Sequence, residues 1–243
     1  PAARVVALCD SAVPAWRDTR VLPLCRDPDQ PDLFSLQGVT LYEHYADVLA
    51  RDDVRLVDIC LPTPLHAEVA VAALHAGKDV FCEKPLALTA AECGRIESAW
   101  RCGGNGHRQF TVGHSLRFMP QYTLAHGLLA SGRFGRPRYA RFHRSGTRPV
   151  GSSQDWLLQG SASCGDVLAL HVHDIDVAHW WFGPAHTVRA QGLIHEDLPL
   201  LAESTWQYGD GPLVQLHASW DLHGGPFRFG FHVMMDRGTI AYD

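Results

Sequence analysis

Between Gly38 and His114, short apolar runs alternate with helical patterns, and this rhythm narrows the choice of fold more than any other feature of the chain. Residues 39–42 read as a strand and 44–51 as a short helix. Residues 54–61 form a continuous apolar run of the kind buried on both faces of a parallel sheet. An Ala-rich helix over 65–76 follows, with Gly77 placed to end it in the left-handed conformation. Residues 79–82 are the next strand and 90–101 the next helix, with Thr89 as N-cap and Glu92 closing a capping box. Residues 109–114 are a further strand, and an earlier run, 4–9, reads as a strand ending at Asp10. Repeated strand–helix alternation implies a parallel, doubly wound sheet.

After Phe118 the pattern changes. A helix over 121–131 stops at Gly132, and residues 137–145 alternate as a strand does. Residues 148–163 are a loop carrying Asp155 and Trp156, and a histidine-rich helical stretch runs from 165 to Gly183-Pro184. From 187 onward the chain reads as strands and hairpins, with turns at 209–211 and 236–238. The fold class expected is α/β: a Rossmann-type doubly wound parallel sheet over 1–118, then an α+β domain with a mainly antiparallel sheet over 119–243. Residues 17–37, rich in Pro and Asp, are expected to be irregular.

With 243 residues, 46% of them hydrophobic, the chain can bury a sizeable core in one or two domains. A formal charge of −5 gives no reason to expect nucleic acid or an anionic membrane as partner, and no apolar run is long enough to span a bilayer. Cysteines at 9, 25, 60, 82, 93, 102 and 164 form no Cys-x-x-Cys pair, which points to a reducing, cytoplasmic setting.

Three features could carry chemistry. Glu83-Lys84 falls at the carboxyl end of a strand, where an open α/β sheet binds its ligands, with Pro85 fixing the backbone behind it. The alternative is a solvated ion pair ahead of a helix. Asp10 also ends a strand, where an acid can hold an adenosine ribose; it can equally cap the next helix. On the histidine-rich helix, 169, 173 and 176 share a face, while His171 points elsewhere. His171, His173, Asp174, Asp176 and His179 are ligand types for a metal, but a helix fans them apart, so no metal is expected. Pro62, Thr63 and His66 belong to the turn after a strand, and Arg117 ends another; each could face a ligand or simply support its neighbours.

Taken together, Leu61-Pro62-Thr63-Pro64-Leu65-His66, Phe81-Cys82-Glu83-Lys84-Pro85 and Val112-Gly113-His114-Ser115-Leu116-Arg117 resemble the Gfo/Idh/MocA oxidoreductases. The resemblance implies that Lys84 contacts both nicotinamide and substrate and that the 62–66 turn and Glu83 lie along the dinucleotide. It implies that His173 is the acid–base on the substrate hydroxyl. Arg117 and Trp156 are further candidate substrate contacts by their place in the chain; Arg117 could instead pair with an acid, and Trp156 could cover the nicotinamide or simply pack. The family's helix carries an acid one turn before this histidine; here that position is Ala169, and Asp176 or Asp166 are candidates to replace the acid. Asp10 favours NAD, with NADP as the alternative, because a carboxylate repels a 2′-phosphate. The expected function is hydride transfer between NAD(P) and a secondary alcohol of a sugar, cyclitol or related polyol, in a homodimer or homotetramer. A non-catalytic NAD-binding regulator or scaffold is the alternative that Ala169 suggests, and a metal-dependent hydrolase is a weaker third. No Gly-x-Gly-x-x-Gly turn precedes Asp10, so the first strand and that turn are expected in a segment before this chain, and a C-terminal portion beyond Asp243.

Overall fold

The structure, a computed structural model, describes residues 3–11, 38–103, 108–147, 166–195, 198–220 and 225–243. Expectations for 17–37, Asp155 and Trp156 therefore lie outside the described residues. The chain divides into two compact units that are not contiguous in sequence. One holds Pro1–Ile59, Ala67–Cys82 and Cys93–Thr111; the other holds Cys60–His66, Glu83–Glu92 and Val112–Asp243.

The first unit is built from short parallel strands. β1 (Ala7–Cys9) pairs in parallel with β2 (Thr40–Tyr42), and a short helix, α1 (Tyr45–Leu49), follows. β3 (Leu56–Ile59), β4 (Asp79–Cys82) and β5 (Phe110–Val112) form a second sheet in that order. α2 (Thr63–His75) and α3 (Ala90–Cys102) are the crossovers that parallel neighbours need.

Helix ends follow the sequence signals. At the end of α2, the Gly77 N–H bonds to the Leu74 carbonyl and the Lys78 N–H to that of Ala73, a Schellman motif with Gly77 at φ +71°. At the start of α3, the Glu92 N–H bonds to Thr89 Oγ1 at 3.2 Å and the Thr89 N–H to Glu92 Oε2 at 3.0 Å. One expectation is corrected. β3 is shorter than the 54–61 run and is not buried on both faces: Leu56 is 53% exposed, Asp58 is exposed, and of the strand only Ile59 is buried. β4 pairs along one of its edges, and no strand pairs along the other among the described residues.

The second unit centres on a six-stranded sheet in the order β11-β10-β6-β9-β8-β7. Its strands are β6 (Pro137–Ser145), β7 (Thr187–His195), β8 (Leu198–Gln207), β9 (Leu213–Ser219), β10 (Arg228–Met235) and β11 (Gly238–Tyr242). All neighbours are antiparallel except β6 and β9. Two helices belong to this unit, α4 (Pro120–Ala130) and α5 (Asp166–Phe182). A 3₁₀ turn (Ser115–Phe118) leads into α4, which starts on Pro120 at a position where its missing N–H costs nothing.

Two-residue alternation puts Ala140, Phe142 and Arg144 of β6 on the buried face, with Val214, Leu216 and Ala218 of β9 and Phe231, Val233 and Met235 of β10. Leu170, Asp174, Val177 and Ala178 of α5 are buried too, at the spacing of one helix face, and α5 contacts β6, β8 and β9. The core is aromatic: Tyr122 and Trp181 lie 5.0 and 4.9 Å from Phe231, centroid to centroid. Phe142, fully buried, joins the cluster 5.4 Å from Trp181. Phe142→Ala is expected to lower the unfolding free energy by about 3–5 kcal/mol, the cost of a lost ring and the void it leaves. A denaturant midpoint shift without a change in slope would check it.

Candidate active site

Helix α5 carries two stripes. The first packs on the sheet; the second, Ala169, His173, Asp176 and Trp180, runs along the same side at three- and four-residue steps. The 83–89 turn meets this second stripe: Lys84 Nζ donates a hydrogen bond to the Ala169 carbonyl oxygen at 3.0 Å. Lys84, Ala169 and His173 line one cavity of about 430 Å³. Arg144 and Ser115 add polar groups to its wall, and Trp220, Phe227 and Phe229 make an aromatic side. Gly146 is needed behind that side, because a Cβ there would come within 2.6 Å of Phe227 and 3.2 Å of Trp220.

Burial sets the electrostatics. It lowers the Lys84 ammonium pKa; the Glu83 carboxylate opposes this and the Arg144 charge adds to it. It pushes the His173 imidazole down to about 3, helped by Lys84, Arg144 and His114. His173 is therefore neutral, and its Nδ1 is buried with no hydrogen-bond partner among the described residues. His171 is pushed down to about 4 by burial, with His217 and Arg144 contributing. Its Nε2 lies 3.4 Å from Ser204 Oγ, which also accepts from Trp206 Nε1. His171 thus belongs to the sheet side of the helix and not to the cavity.

Asp176 does not replace the acid absent at 169. Both its oxygens accept hydrogen bonds from Arg117, at 2.8 Å each, and His114 Nε2 lies 3.7 Å away. Arg117 also sits 5.6 Å from the centroid of the Trp180 ring, so it bridges Asp176 and Trp180. The side chain of Asp166, the other candidate, lies outside the described residues.

His66 turns inward. It is 1% exposed, with Nδ1 2.8 Å from the Pro85 carbonyl and Nε2 2.7 Å from that of Leu61. It therefore ties the 60–66 turn to the Lys84 turn and presents no free ring nitrogen. Thr63 is buried as well, and Pro62 is half-buried at the start of α2. These residues, with Glu83, Lys84, Arg117 and His173, fall in the second unit, whereas Asp10 falls in the first. The Asp10 N–H bonds to the Tyr42 carbonyl at 3.0 Å, which places this acid at the carboxyl end of β1, where a ribose-binding carboxylate belongs. Among the described residues no group of three or more His, Cys, Asp or Glu is arranged to hold a metal; α5 sends His171 to Ser204, Asp174 to Arg144 and Asp176 to Arg117. No helix among them is long and apolar enough to cross a membrane.

Sequence reasoning missed Arg144, and with it the pairing that holds Asp174. Arg144 Nε and Nη2 donate to the two Asp174 oxygens at 2.9 and 3.0 Å, in a pair whose side chains are 5% and 0% exposed. Burial raises the Asp174 pKa and Arg144 pulls it back. The signal was available: Arg144 stands in phase with Ala140 and Phe142, a charge on the buried face of a strand.

Parallel strands with strand-end turns, followed by a helix-backed antiparallel sheet, define a dinucleotide-binding domain joined to an α+β domain. Residues 3–113 match the family described as "Oxidoreductase family, NAD-binding Rossmann fold", and residues 122–241 match "GFO/IDH/MocA C-terminal domain". The chain belongs to the Gfo/Idh/MocA family. An inositol 2-dehydrogenase of Salmonella paratyphi B is 36% identical over 178 residues, 72% of this chain and 46% of that protein. The 4-carboxy-2-hydroxymuconate-6-semialdehyde dehydrogenase of a Sphingobium species is 29% identical over 203 residues, 80% of this chain and 61% of that protein. A levoglucosan dehydrogenase, solved with NADH and levoglucosan, superposes with a TM-score of 0.82 at 22% identity, over 98% of this chain and 64% of that one, a likeness of fold. The chain thus spans about half the length of the inositol dehydrogenase it matches.

The depressed histidines make a stability prediction. The unfolded chain protonates histidine near pH 6.5, and the folded protein resists until about pH 4 at His171. Between those values the unfolded state binds more protons, so stability falls as the pH drops through that window. His171→Gln is expected to flatten this acid limb by up to about 1.4 kcal/mol per pH unit, read from denaturant midpoints between pH 6.5 and 5. His173 should keep the NMR shifts of a neutral ring at pH 5.

Proposed function

We propose that the protein is a nicotinamide-dependent dehydrogenase acting on a secondary alcohol of a sugar, cyclitol or related polyol. The observation that carries this reading is the convergence of Lys84 and the neutral His173 on one cavity. Bound NAD supplies the hydride acceptor. In the 62–66 and 83–85 turns, the groups beside Lys84 are held from behind by His66, while the ammonium donates to the Ala169 carbonyl and keeps its other N–H donors for a ligand. Asp10, at the end of β1, is the residue that would hold the adenosine ribose through its hydroxyls.

On the substrate, Lys84 donates a hydrogen bond to the carbinol oxygen and stabilises the negative charge that grows there. His173, neutral and with a lone pair to offer, takes the hydroxyl proton as hydride leaves the carbon. The product is a ketone. In the reverse direction the same ring returns the proton. Lys84 can do this because a carbonyl, and not a carboxylate, holds it: Ala169 O orients the ammonium without neutralising it.

Lys84→Ala is expected to lower turnover on a polyol by about 10² or more, while NAD affinity, set mostly at the adenosine and phosphates, falls much less. A rate within threefold of wild type would overturn the assignment. Ala169→Asp, which returns an acid beside His173, should raise turnover. NAD binding with no turnover on any polyol, before or after that substitution, would instead favour the non-catalytic reading that Ala169 invites.

Asp10→Ala is expected to weaken NAD binding and narrow its advantage over NADP, because the carboxylate accepts from the ribose hydroxyls and repels a 2′-phosphate. Titration of the unmutated protein that finds NADP the tighter ligand would refute this role.

A further inference from the structure

Among the described residues, the side chains that line the cavity are rich in donors and poor in acceptors. A neutral polyol needs both, since each hydroxyl donates once and accepts. Protein sites usually meet the donating half with carboxylates. Here the polar wall among the described residues is Lys84, Arg144, Ser115 and His173, and none of the described lining residues is an acid. The nearby acids are engaged elsewhere: Asp174 with Arg144 and Asp176 with Arg117, while Glu83 accepts from the Lys84 main-chain N–H at 3.2 Å.

Arg144 is the group with capacity to spare. A guanidinium has five N–H donors in a planar fork. Asp174 takes the edge formed by Nε and Nη2, and it is fully buried and does not line the cavity. Arg144 does line it, and its Nη1 and Nη2 edge meets no carboxylate among the described residues; the buried Tyr122 phenol lies beside the guanidinium, and two parallel N–H bonds along that edge would match a carboxylate. Two rings lie against it on one side, with Cζ 4.9 Å from the Phe229 centroid and 5.9 Å from that of Phe227. A long side chain so held on one edge and both rings loses little freedom when a ligand arrives. The remaining wall, with Trp220, Phe227 and Phe229, suits the C–H face of a ring.

We propose that the substrate of this site carries a carboxylate that docks on the outer edge of Arg144, so that the substrate class is a sugar or cyclitol acid and not a neutral polyol. This rests on the dehydrogenase reading for the reaction but not for the binding. Neutral sugars offer that edge no carboxylate, and a site built to bond a group rejects the analogue that lacks it.

The test uses the intact NAD-loaded protein and matched pairs: glucuronate with glucose, galacturonate with galactose, and each uronate with its uronamide. Calorimetry is expected to show at least one uronate binding about 10-fold or more tightly than both its neutral counterparts, the range for hydrogen bonds to a charged group. Arg144→Gln should abolish that preference. Because that variant strands Asp174, Arg144→Gln combined with Asp174→Asn serves as the folded control, and the wild-type comparison needs no variant. If no acid binds more tightly than its neutral counterparts, the proposal is overturned. Turnover separates the two readings: a strong preference for acids without NADH production refutes the dehydrogenase and keeps the anion site, whereas equal kcat/KM on acid and hexose refutes the anion site and keeps the dehydrogenase.

Discussion

The buried ion pair between Arg144 and Asp174 fixes helix α5 to the sheet, and the cavity depends on where α5 lies. Two charged side chains in a packed interface are tolerated only when each satisfies the other, and here the contact is bidentate at 2.9 and 3.0 Å. Replacing both by apolar groups of similar volume costs little, because desolvation of the ions cancels most of their attraction; removing one strands the other at a cost of about 3–5 kcal/mol. The pair therefore sets register more than it adds stability. Ala140, Phe142 and Leu216 would bury against any apolar helix face at any rotation, whereas one acid facing one guanidinium admits a single arrangement.

Once that rotation is fixed, the second stripe of α5 has no freedom left. With Asp174 against the sheet, His173 and Ala169 must face the Lys84 turn, and Asp176 and Trp180 must face Arg117. The turn is held from its other side by His66, whose two ring nitrogens meet the carbonyls of Pro85 and Leu61. Both tethers on the Lys84 region are thus to main-chain oxygen. A carbonyl directs an ammonium nearly as well as a carboxylate does, yet brings no charge, and so the desolvation of Lys84 is left with Glu83 as the opposing influence.

Much of this was legible in the amino-acid order because it is written in local rules. Gly77, the Thr89–Glu92 box and the alternation through 137–145 each act within a few residues, and the elements they announce are present. The 169–173–176 face was likewise readable, since helix geometry alone decides it. What failed was decided by partners far along the chain. Burial of β3 depends on which strands flank it, so an apolar run over 54–61 could not announce that Leu56 is exposed. The inward turn of His66 could not be read from its place after a strand, because the carbonyl it meets, that of Pro85, lies nineteen residues on. Asp176 was offered to His173 on helix spacing, but Arg117, fifty-nine residues away, takes both its oxygens.

The same geometry decides how labour divides between Lys84 and His173 in the proposed reaction. An imidazole held near a pKa of about 3 is a feeble base toward an alcohol, and a general base is most effective when its pKa lies near the working pH. An acid at 169 would lift that pKa by stabilising the imidazolium; Ala169 cannot. The alcohol must then be made more acidic instead. An ammonium partly withdrawn from water does this, because its attraction for a forming alkoxide is less screened than in water. Desolvation that weakens His173 as a base also strengthens Lys84 as a stabiliser of negative charge. The loss of one carboxylate on α5 thus shifts the greater share of the barrier reduction onto the lysine at the end of β4.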